Sequence, residues 1–274
     1  GGALGAALGT YYVLSGARRT MPPNGGDGMS GSFLGPQFSQ AQIQAELEEL
    51  GAVYEIMTEE ELIHYTANAI SEGAAVGWFQ GKMEFGPRAL GGRSIIADPR
   101  SPETQKTLNL KVKYRESFRP FAPSVLVGDT NEWFDLNVDS PYMLVVSPVK
   151  SDRRREMTKE ENGLFGIDKL NIQRSEIPAV THVDYSARVQ TVSRDTNPLY
   201  YKLIEAFKAR TGCPVLVNTS FNIRGEPIVC TPSDAFRCFM GTELDLLVIG
   251  NCVLRKSLQD SSLRIDYTDA FDLD

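Results

Sequence analysis

Short apolar runs that alternate with capped helical segments are the feature that most constrains the fold of this chain. Six such runs follow residue 73, at residues 74–80, 93–98, 121–127, 142–149, 213–221 and 244–256. Between them lie helix start signals in which a capping residue precedes proline: Ser101-Pro102, Asn197-Pro198 and Thr231-Pro232. Strands that alternate with helices predict an α/β or α+β domain with a mixed sheet flanked by helices.

Residues 1–35 differ from the rest of the chain. The opening GGALGAALGTYYVLSG predicts a helix that ends an earlier domain, and it lacks both an initiator Met and the basic segment of a signal peptide. Residues 15–35 are rich in Gly, Pro and Ser, so we expect a linker or exposed loop there. We therefore expect the chain to begin within a longer protein, with its domains at 1–35 and 36–274.

Cysteine and histidine usage bears on the compartment and on metal binding. The four cysteines show no CxxC spacing, and with only two histidines a zinc site is not expected. Buried thiols in a reducing cytoplasm are the simplest interpretation. No apolar run reaches the roughly 18 to 20 residues of a membrane span, so we expect a cytoplasmic protein without a membrane partner.

The net charge of −7 is unevenly distributed. Residues 82–119 hold nine basic and four acidic residues, a net charge of +5, and the rest of the chain carries −12. A compact basic window in an acidic protein is typical of a focused anion site, whereas extended nucleic-acid binding needs a broader basic face. We therefore expect a small anionic ligand rather than a nucleic acid.

A glycine-arginine turn, FGPRALGGRS, lies near the start of this window at residues 85–94. Glycines let backbone N–H donors approach a ligand, and Arg88 and Arg93 supply forked donors that suit phosphate or carboxylate oxygens. The alternative is a tight turn whose arginines pair with surface carboxylates.

Two further segments carry polar groups in patterns that favour a ligand site. In residues 109–124 four basic residues recur so that several can face one way: Lys111, Lys113, Arg115 and Arg119. In residues 217–229 a strand leaving the core delivers Asn218, Ser220, Asn222 and Arg224. The ends of sheet strands are where α/β proteins place ligand sites. A solvated surface and a loop held by its own Asn and Ser side chains are the respective alternatives.

A weaker motif, THVDYSARVQTV at residues 181–192, offers His182, Asp184 and Arg188. His182 and Asp184 suggest acid–base chemistry, although a lone histidine is more often structural. The sequence contains no Ser-His-Asp pattern, phosphate-binding P-loop or dinucleotide fingerprint.

Together these motifs resemble the C-terminal region of O-carbamoyltransferases of the NodU/CmcH type. The resemblance covers residues 33–256 and is carried by the segments 83–100, 108–126, 182–192 and 214–239, in this order. It implies a YrdC-like domain that makes carbamoyl adenylate from carbamoyl phosphate and ATP with Mg²⁺. It also implies that the carbamoyl group is then transferred to a hydroxyl of a small-molecule or sugar acceptor.

The resemblance also implies a domain that this chain lacks. Family members carry an N-terminal ATPase-like domain of the actin/hsp70 type, which binds iron and completes the transfer. Residues 1–35 match its end, so we expect that domain as a partner within the same polypeptide, and full transfer to depend on it. The chain is not expected to hold a metal of its own.

The resemblance assigns individual residues. Lys113 and Arg115 form a K-x-R pair, and Ser220 and Asn222 form an S-x-N pair, a tetrad that resembles the one in threonylcarbamoyl-adenylate synthases. The residues expected to act in catalysis are Arg88, Lys113, Arg188 and Arg224. Those expected to bind ATP or carbamoyl phosphate are Arg93, Arg115, Ser220, Asn222 and Asn218, with Lys111 and Arg119 as second candidates.

An alternative function is a binding module that holds nucleotide or RNA without turnover. Because transfer of carbamate to the α-phosphate of ATP needs positive charge and positioning rather than a protein nucleophile, the scarcity of histidine fits the enzyme.

Overall fold

The computed structural model describes residues 2–20, 27–170 and 172–264, and these form one mixed sheet flanked by helices, as the sequence predicts. The strands are β1 (Glu55–Ile56), β2 (Val76–Phe79), β3 (Arg93–Ala97), β4 (Ala122–Leu126), β5 (Val145–Pro148), β6 (Ser186–Val192), β7 (Val215–Ser220), β8 (Leu246–Ile249) and β9 (Cys252–Arg255). Within the described ranges the sheet has nine strands in the order β1-β9-β8-β2-β3-β7-β4-β6-β5.

Strand direction places the polar end of β7 in the middle of the sheet. β7 pairs antiparallel with β3 on one side and with β4 on the other, so that Asn218 lies opposite both Ile96 and Ala122. β2 with β8 and β4 with β6 are parallel pairs, and the remaining neighbours are antiparallel. The loop before β3 and the segment before β4 therefore meet around the end of β7.

The helices in the described residues are α1 (Gly2–Ser15), α2 (Gln40–Glu49), α3 (Glu59–Ser71), α4 (Pro102–Lys111), α5 (Thr130–Trp133), α6 (Lys159–Asn162), α7 (Gly166–Leu170), α8 (Pro198–Thr211) and α9 (Pro232–Met240). Of these, α8 packs on β4 and β7, and α9 packs on β2 and β8. α3 packs against α8, and α2 against α9. The predicted capping signals are present: Thr58 forms a capping box with Glu61, and Gly212, at φ 75°, ends α8.

Two strand predictions differ from the structure. The run 244–256 predicts one strand, but it folds as the hairpin of β8 and β9 because Gly250, at φ 52°, accommodates a tight turn. The polar motif at residues 181–192 does not predict a strand, but it contains β6, a seven-residue strand whose last four residues are buried.

The N-terminal part of the chain consists of an exposed helix, α1, and a segment at residues 27–35 that contacts the rest of the domain. α1 buries none of its residues. Residues 27–35, predicted as linker or exposed loop, instead pack on the domain: Phe85 N donates to Ser32 O at 2.7 Å, and Gly35 N donates to Met83 O at 2.9 Å. Residues 21–26 of the predicted linker lie outside the described residues. The boundary at residue 35 stays a prediction.

The four cysteines are free, and Cys213, Cys238 and Cys252 are buried. Burial raises the pKa of each of these three thiols, that of Cys213 to about 12, which agrees with unreactive core residues. Within the ranges described, no helix has the length and apolar character to cross a membrane.

Candidate functional site

A buried carboxylate fixes the glycine-arginine turn. Glu84 is 5% exposed, and its Oε1 accepts from Leu90 N at 2.6 Å, Gly92 N at 2.7 Å and Arg93 N at 3.3 Å. Three backbone donors on one oxygen close the segment between residues 84 and 93 into a fixed loop. We call residues 85–92 the arginine loop.

Gly91 allows this loop to lie directly on the core. It has φ 101°, and a Cβ atom there would lie 2.3 Å from a ring carbon of Tyr200. Its carbonyl accepts from Trp78 Nε1 at 3.0 Å, and its N–H donates to Ser94 Oγ at 3.0 Å. Only glycine combines this conformation with this approach.

Arg93 lies beneath the loop and not at a cleft. Its side chain is fully buried over the Phe79 ring, with Cζ 3.5 Å from the ring centroid. Its guanidinium donates to backbone carbonyls of Gln80, Gly81, Gly92 and Pro36 at 3.1–3.3 Å. Burial lowers its pKa to about 10, and the charge of Glu84 opposes this. These contacts describe a structural role, and ligand binding by Arg93 stays a prediction.

An amide network ties the loop to the centre of the sheet. Asn218 Nδ2 donates to Ala89 O at 3.0 Å and to Gln190 Oε1 at 2.7 Å. Gln190 Nε2 donates to Leu90 O at 2.8 Å, and Ser124 Oγ donates to Gln190 Oε1 at 2.6 Å. Strands β4, β6 and β7 therefore hold the backbone directly after Arg88. The sequence does not single out Ser124, Gln190 or Glu84, because each acts through partners that are distant in the chain or are backbone groups.

Five predicted residues line one small cleft of about 160 Å³ beside the loop: Arg88, Arg115, Arg188, Asn218 and Ser220. We call it the inner cleft. No carboxylate side chain belongs to the part of its wall that the structure describes. Three guanidinium groups without a counter-charge in the described wall give the cleft a positive lining that suits an anion.

Arg88 and Arg188 both belong to this wall. The Nε atom of each is buried without a hydrogen-bond partner among the described residues, as is the Nε atom of Arg93 beneath the loop. Burial lowers the pKa of Arg188, and the neighbouring charge of Arg88 lowers it further. Because arginine remains protonated in proteins, two like charges lie near each other here, an arrangement that favours an anionic ligand.

A second cleft of about 430 Å³ adjoins the first and shares Arg115, Arg188 and residues 120–122 with it. We call it the outer cleft. It adds Arg119 and His182 to the wall. Burial lowers the pKa of His182, with Asp184 opposing this and Arg188 adding to it. The lowered pKa favours the neutral imidazole, which has one N–H donor and one acceptor nitrogen.

Lys113 lies behind the inner cleft and organises the S-x-N turn. Its Nζ donates to Ser220 O, and it also reaches Asn222 O and Oδ1 at 2.8 Å and Ser220 Oγ at 3.3 Å. Ser220 Oγ donates to Asn222 Oδ1 at 2.6 Å. Lys113 is buried, and this lowers its pKa to about 7. Lys113 and Asn222 thus support Ser220, which lines the cleft itself.

Arg115 separates the two clefts. Its Nε donates to Asn109 Oδ1 at 2.6 Å, and its Cζ lies 4.9 Å from the Phe121 ring centroid. Burial lowers its pKa to about 10, and Arg119 adds to this while Glu116 opposes it. The exposed Arg119 forms an ion pair with Glu116 at 3.6 Å.

Arg224 and Lys111 belong to neither cleft wall. Arg224 is near enough to Glu116 to lower the pKa of that carboxyl, after the larger effects of a backbone hydrogen bond and Arg119. Lys111 is exposed at the end of α4. Their predicted roles stay predictions.

Comparison with known proteins supplies the context for this geometry. A family model described as "Carbamoyltransferase C-terminus" matches residues 67–256. An uncharacterised protein of Synechocystis is 55% identical over 94% of this chain and 42% of its own length. Nodulation protein NolNO of Sinorhizobium fredii is 41% identical over 92% of this chain and 34% of its length. A 3'-hydroxymethylcephem-O-carbamoyltransferase of Streptomyces clavuligerus is 36% identical over 69% and 32%, respectively.

The chain thus spans between about a third and two fifths of the length of these relatives. Full-length HypF in the phosphate- and nucleotide-bound form superposes with a TM-score of 0.44 at 16% identity, over 70% of this chain and 25% of that one. That likeness is too weak to carry an argument.

Proposed function

The chain belongs to the carbamoyltransferase C-terminus family, and we propose that it forms carbamoyl adenylate from carbamoyl phosphate and ATP. The observation that carries the proposal is the inner cleft, where the side chains of Arg88, Arg115 and Arg188 line a wall that has no carboxylate among the described residues. Such a wall suits a small dianion such as carbamoyl phosphate.

The chemistry has two balanced steps. Water cleaves carbamoyl phosphate to carbamate and inorganic phosphate. A carbamate oxygen then attacks the α-phosphorus of ATP, the bond from that phosphorus to the bridging oxygen breaks, and pyrophosphate leaves. The first step acts on a dianion and the second joins two anions, so the protein mainly needs fixed positive groups and alignment.

The sizes of the two clefts support a division of this work. The inner cleft, about 160 Å³, is below the range of drug-sized ligand pockets and suits the smaller anion. The outer cleft, about 430 Å³, falls within that range and suits a nucleotide. Arg115 and Arg188 belong to both walls, where carbamate and α-phosphate would have to meet.

Magnesium would accompany ATP through the triphosphate oxygens, as is usual for this ion. In the described part of the chain, no group of three or more His, Cys, Asp or Glu residues is placed to hold a metal.

The acceptor step is a further part of the proposal. The Streptomyces relative is named as an O-carbamoyltransferase of a hydroxymethyl cephem, so a hydroxyl on a small molecule or sugar is the acceptor class we propose. Since the chain covers only part of its relatives' length, transfer would also require the additional N-terminal segment, as part of the same polypeptide.

The test is release of pyrophosphate from ATP, Mg²⁺ and carbamoyl phosphate. We expect Arg88→Ala to lower the rate by about 100-fold or more, as for loss of one oxyanion donor. Arg194→Ala is the matched control, because Arg194 is exposed and pairs with Glu205 at 2.9 Å. ATP binding without pyrophosphate release by the folded chain would favour the binding module. Equal rates for Arg88→Ala and the control would contradict the assigned site.

A further inference from the structure

The two halves of the arginine loop are held in different ways. Residues 89–92 are bound by Glu84 and by the amide network of the sheet. Within the ranges that the structure describes, residues 86–88 take part in no backbone–backbone hydrogen bond, and they are exposed or half-buried. The position of Arg88 therefore depends on the contacts that hold the chain just before it.

Residues 27–35, which we call the strap, supply contacts at that point. Phe85 N, at the start of the loop, donates to Ser32 O at 2.7 Å, and Gly35 N donates to Met83 O at 2.9 Å. The approach at Gly35 is close, because a Cβ atom there would lie 2.9 Å from Met83 O. The strap is thus attached to the backbone that leads into the arginine loop.

The strap also packs against the wall of the inner cleft. Phe33 and Tyr142 lie against a small apolar cluster of Leu90, Ala122 and Met143, which is separate from the main core. Ala122 and Met143 also line the inner cleft. Phe33 therefore connects the strap to both sides of the cleft, the arginine loop at Leu90 and the opposite segment at Met143.

A hydrogen bond closes the other end of the strap. Tyr142 Oη donates to Asp27 Oδ2, and the same carboxylate oxygen accepts from Gly31 N at 2.7 Å. Asp27 thereby holds a turn in which Ser30 and Ser32 have φ of 50° and 69°. Side chains other than glycine seldom adopt this conformation, so the turn needs the contacts that hold it.

An apolar cavity of about 190 Å³ lies between the strap and the arginine loop. Its wall includes Met29 and Ser32 of the strap, together with Tyr142. Pro87 and Arg88 belong both to this wall and to the wall of the inner cleft. Because open space adjoins these two residues on two sides, packing alone does not fix them.

We propose that the strap, closed by the hydrogen bond between Tyr142 and Asp27, sets the position of Arg88 in the inner cleft. Asp27 and Tyr142 are then positioning residues, since they act through Arg88 and do not touch the substrate. The inference rests on the proposed function, in which Arg88 binds carbamoyl phosphate. A small displacement of a group that contacts the reacting atoms lowers the rate steeply, so a loosened strap should cost activity while the fold persists.

Tyr142→Phe tests the proposal, because it removes the hydroxyl and keeps the ring in its apolar cluster. We expect kcat/KM for carbamoyl phosphate to fall about tenfold, the usual effect of losing one hydrogen bond. The KM for ATP should not change, since the wall of the outer cleft does not include Arg88. Tyr54→Phe is the matched control and should keep wild-type activity, because Tyr54 Oη donates to Glu48 Oε1 at 2.9 Å and lies in neither cleft wall.

A double substitution shows whether the effect passes through Arg88. In Arg88→Ala, adding Tyr142→Phe should change the rate less than about twofold, because the side chain that the strap positions is already gone. Asp27→Ala, at the exposed end of the strap, should reproduce Tyr142→Phe and replaces it if that variant does not fold. A tenfold loss that persists without Arg88, or wild-type kcat/KM in the folded strap variants, would overturn the proposal.

The strap and the proposed function fail in different ways. Pyrophosphate release by wild type, with equal kcat/KM in Tyr142→Phe and Tyr54→Phe, overturns the role of the strap alone. Wild type that binds inorganic phosphate in calorimetry but releases no pyrophosphate contradicts the proposed function. In that case, weaker phosphate binding by Tyr142→Phe than by Tyr54→Phe still supports the strap. Wild type that neither binds phosphate nor releases pyrophosphate overturns both.

Discussion

Replacing Lys113 by methionine should change how the stability of the domain depends on pH. Lys113 is buried, and its Nζ lies against oxygens of Ser220 and Asn222. Burial lowers its pKa from 10.5 to about 7, and the charge of Arg115 adds to this. Methionine keeps the length of the stem and removes the titrating group.

The sign follows from proton binding in the two states. Below pH 7 both the folded and the unfolded chain carry the proton at Lys113, so this residue contributes no pH dependence. Between pH 7 and 10.5 the unfolded chain binds the proton and the folded chain does not, so stability rises with pH. The slope is about 1.4 kcal/mol per pH unit, or about 5 kcal/mol over the whole interval.

Urea unfolding of wild type and Lys113→Met at several values between pH 6 and 10 measures this. The difference in the free energy of unfolding between the two proteins cancels the titration of groups unaffected by the substitution. We expect the free energy of unfolding of wild type minus that of Lys113→Met to be constant below pH 7. Above pH 7 this difference should increase by about 1.4 kcal/mol per pH unit. A difference that stays flat to pH 10 would refute the reasoning, because Lys113 would then remain an ammonium held by its oxygen neighbours.

Two further predictions concern the arginine loop and the inner cleft. Gly91→Ala should destabilise the domain by about 2–3 kcal/mol more than Gly73→Ala and abolish pyrophosphate release. Both glycines have φ near 100°, but only at Gly91 would a Cβ meet the Tyr200 ring, and equal destabilisation in thermal melts would contradict this. Arg188→Ala should lower pyrophosphate release about 100-fold while leaving the melting temperature unchanged or raised, since it removes a buried charge facing another. A melting temperature lowered by several degrees would show that Arg188 supports the fold.

Local signals in the sequence predicted much of the secondary structure. The capping box of Thr58 and Glu61 and the helix end at Gly212 depend on neighbouring residues, so they could be read directly. Strand order could not, because β3 and β7 pair across more than 100 residues. The packing of residues 27–35 could not be predicted for the same reason, because their partners at Met83 and Phe85 are distant in sequence.

The site was predictable in composition but not in detail. Arg88, Arg115 and Arg188 come from separate segments and meet at one cleft, which the basic motifs suggested. Arg93 carries the same side chain as Arg88 five residues away, yet it faces backbone carbonyls, including that of Pro36. Whether an arginine turns inward or toward a ligand depends on which distant carbonyls surround it, and no local pattern records that.

The facing arginines of the inner cleft have a consequence for the energetics of binding. Glu84, Asn218 and Gln190 fix the backbone around Arg88, so its approach to Arg188 is already set when a ligand arrives. Folding therefore brings two positive charges together at a cost in free energy. A bound anion relieves this repulsion, and it does not have to order the loop first. Ligand binding and folding are coupled through this repulsion. An anion should raise the melting temperature by more than its direct contacts provide, because it also relieves the repulsion. A substitution that loosens the arginine loop should weaken anion binding even when it changes no charged residue.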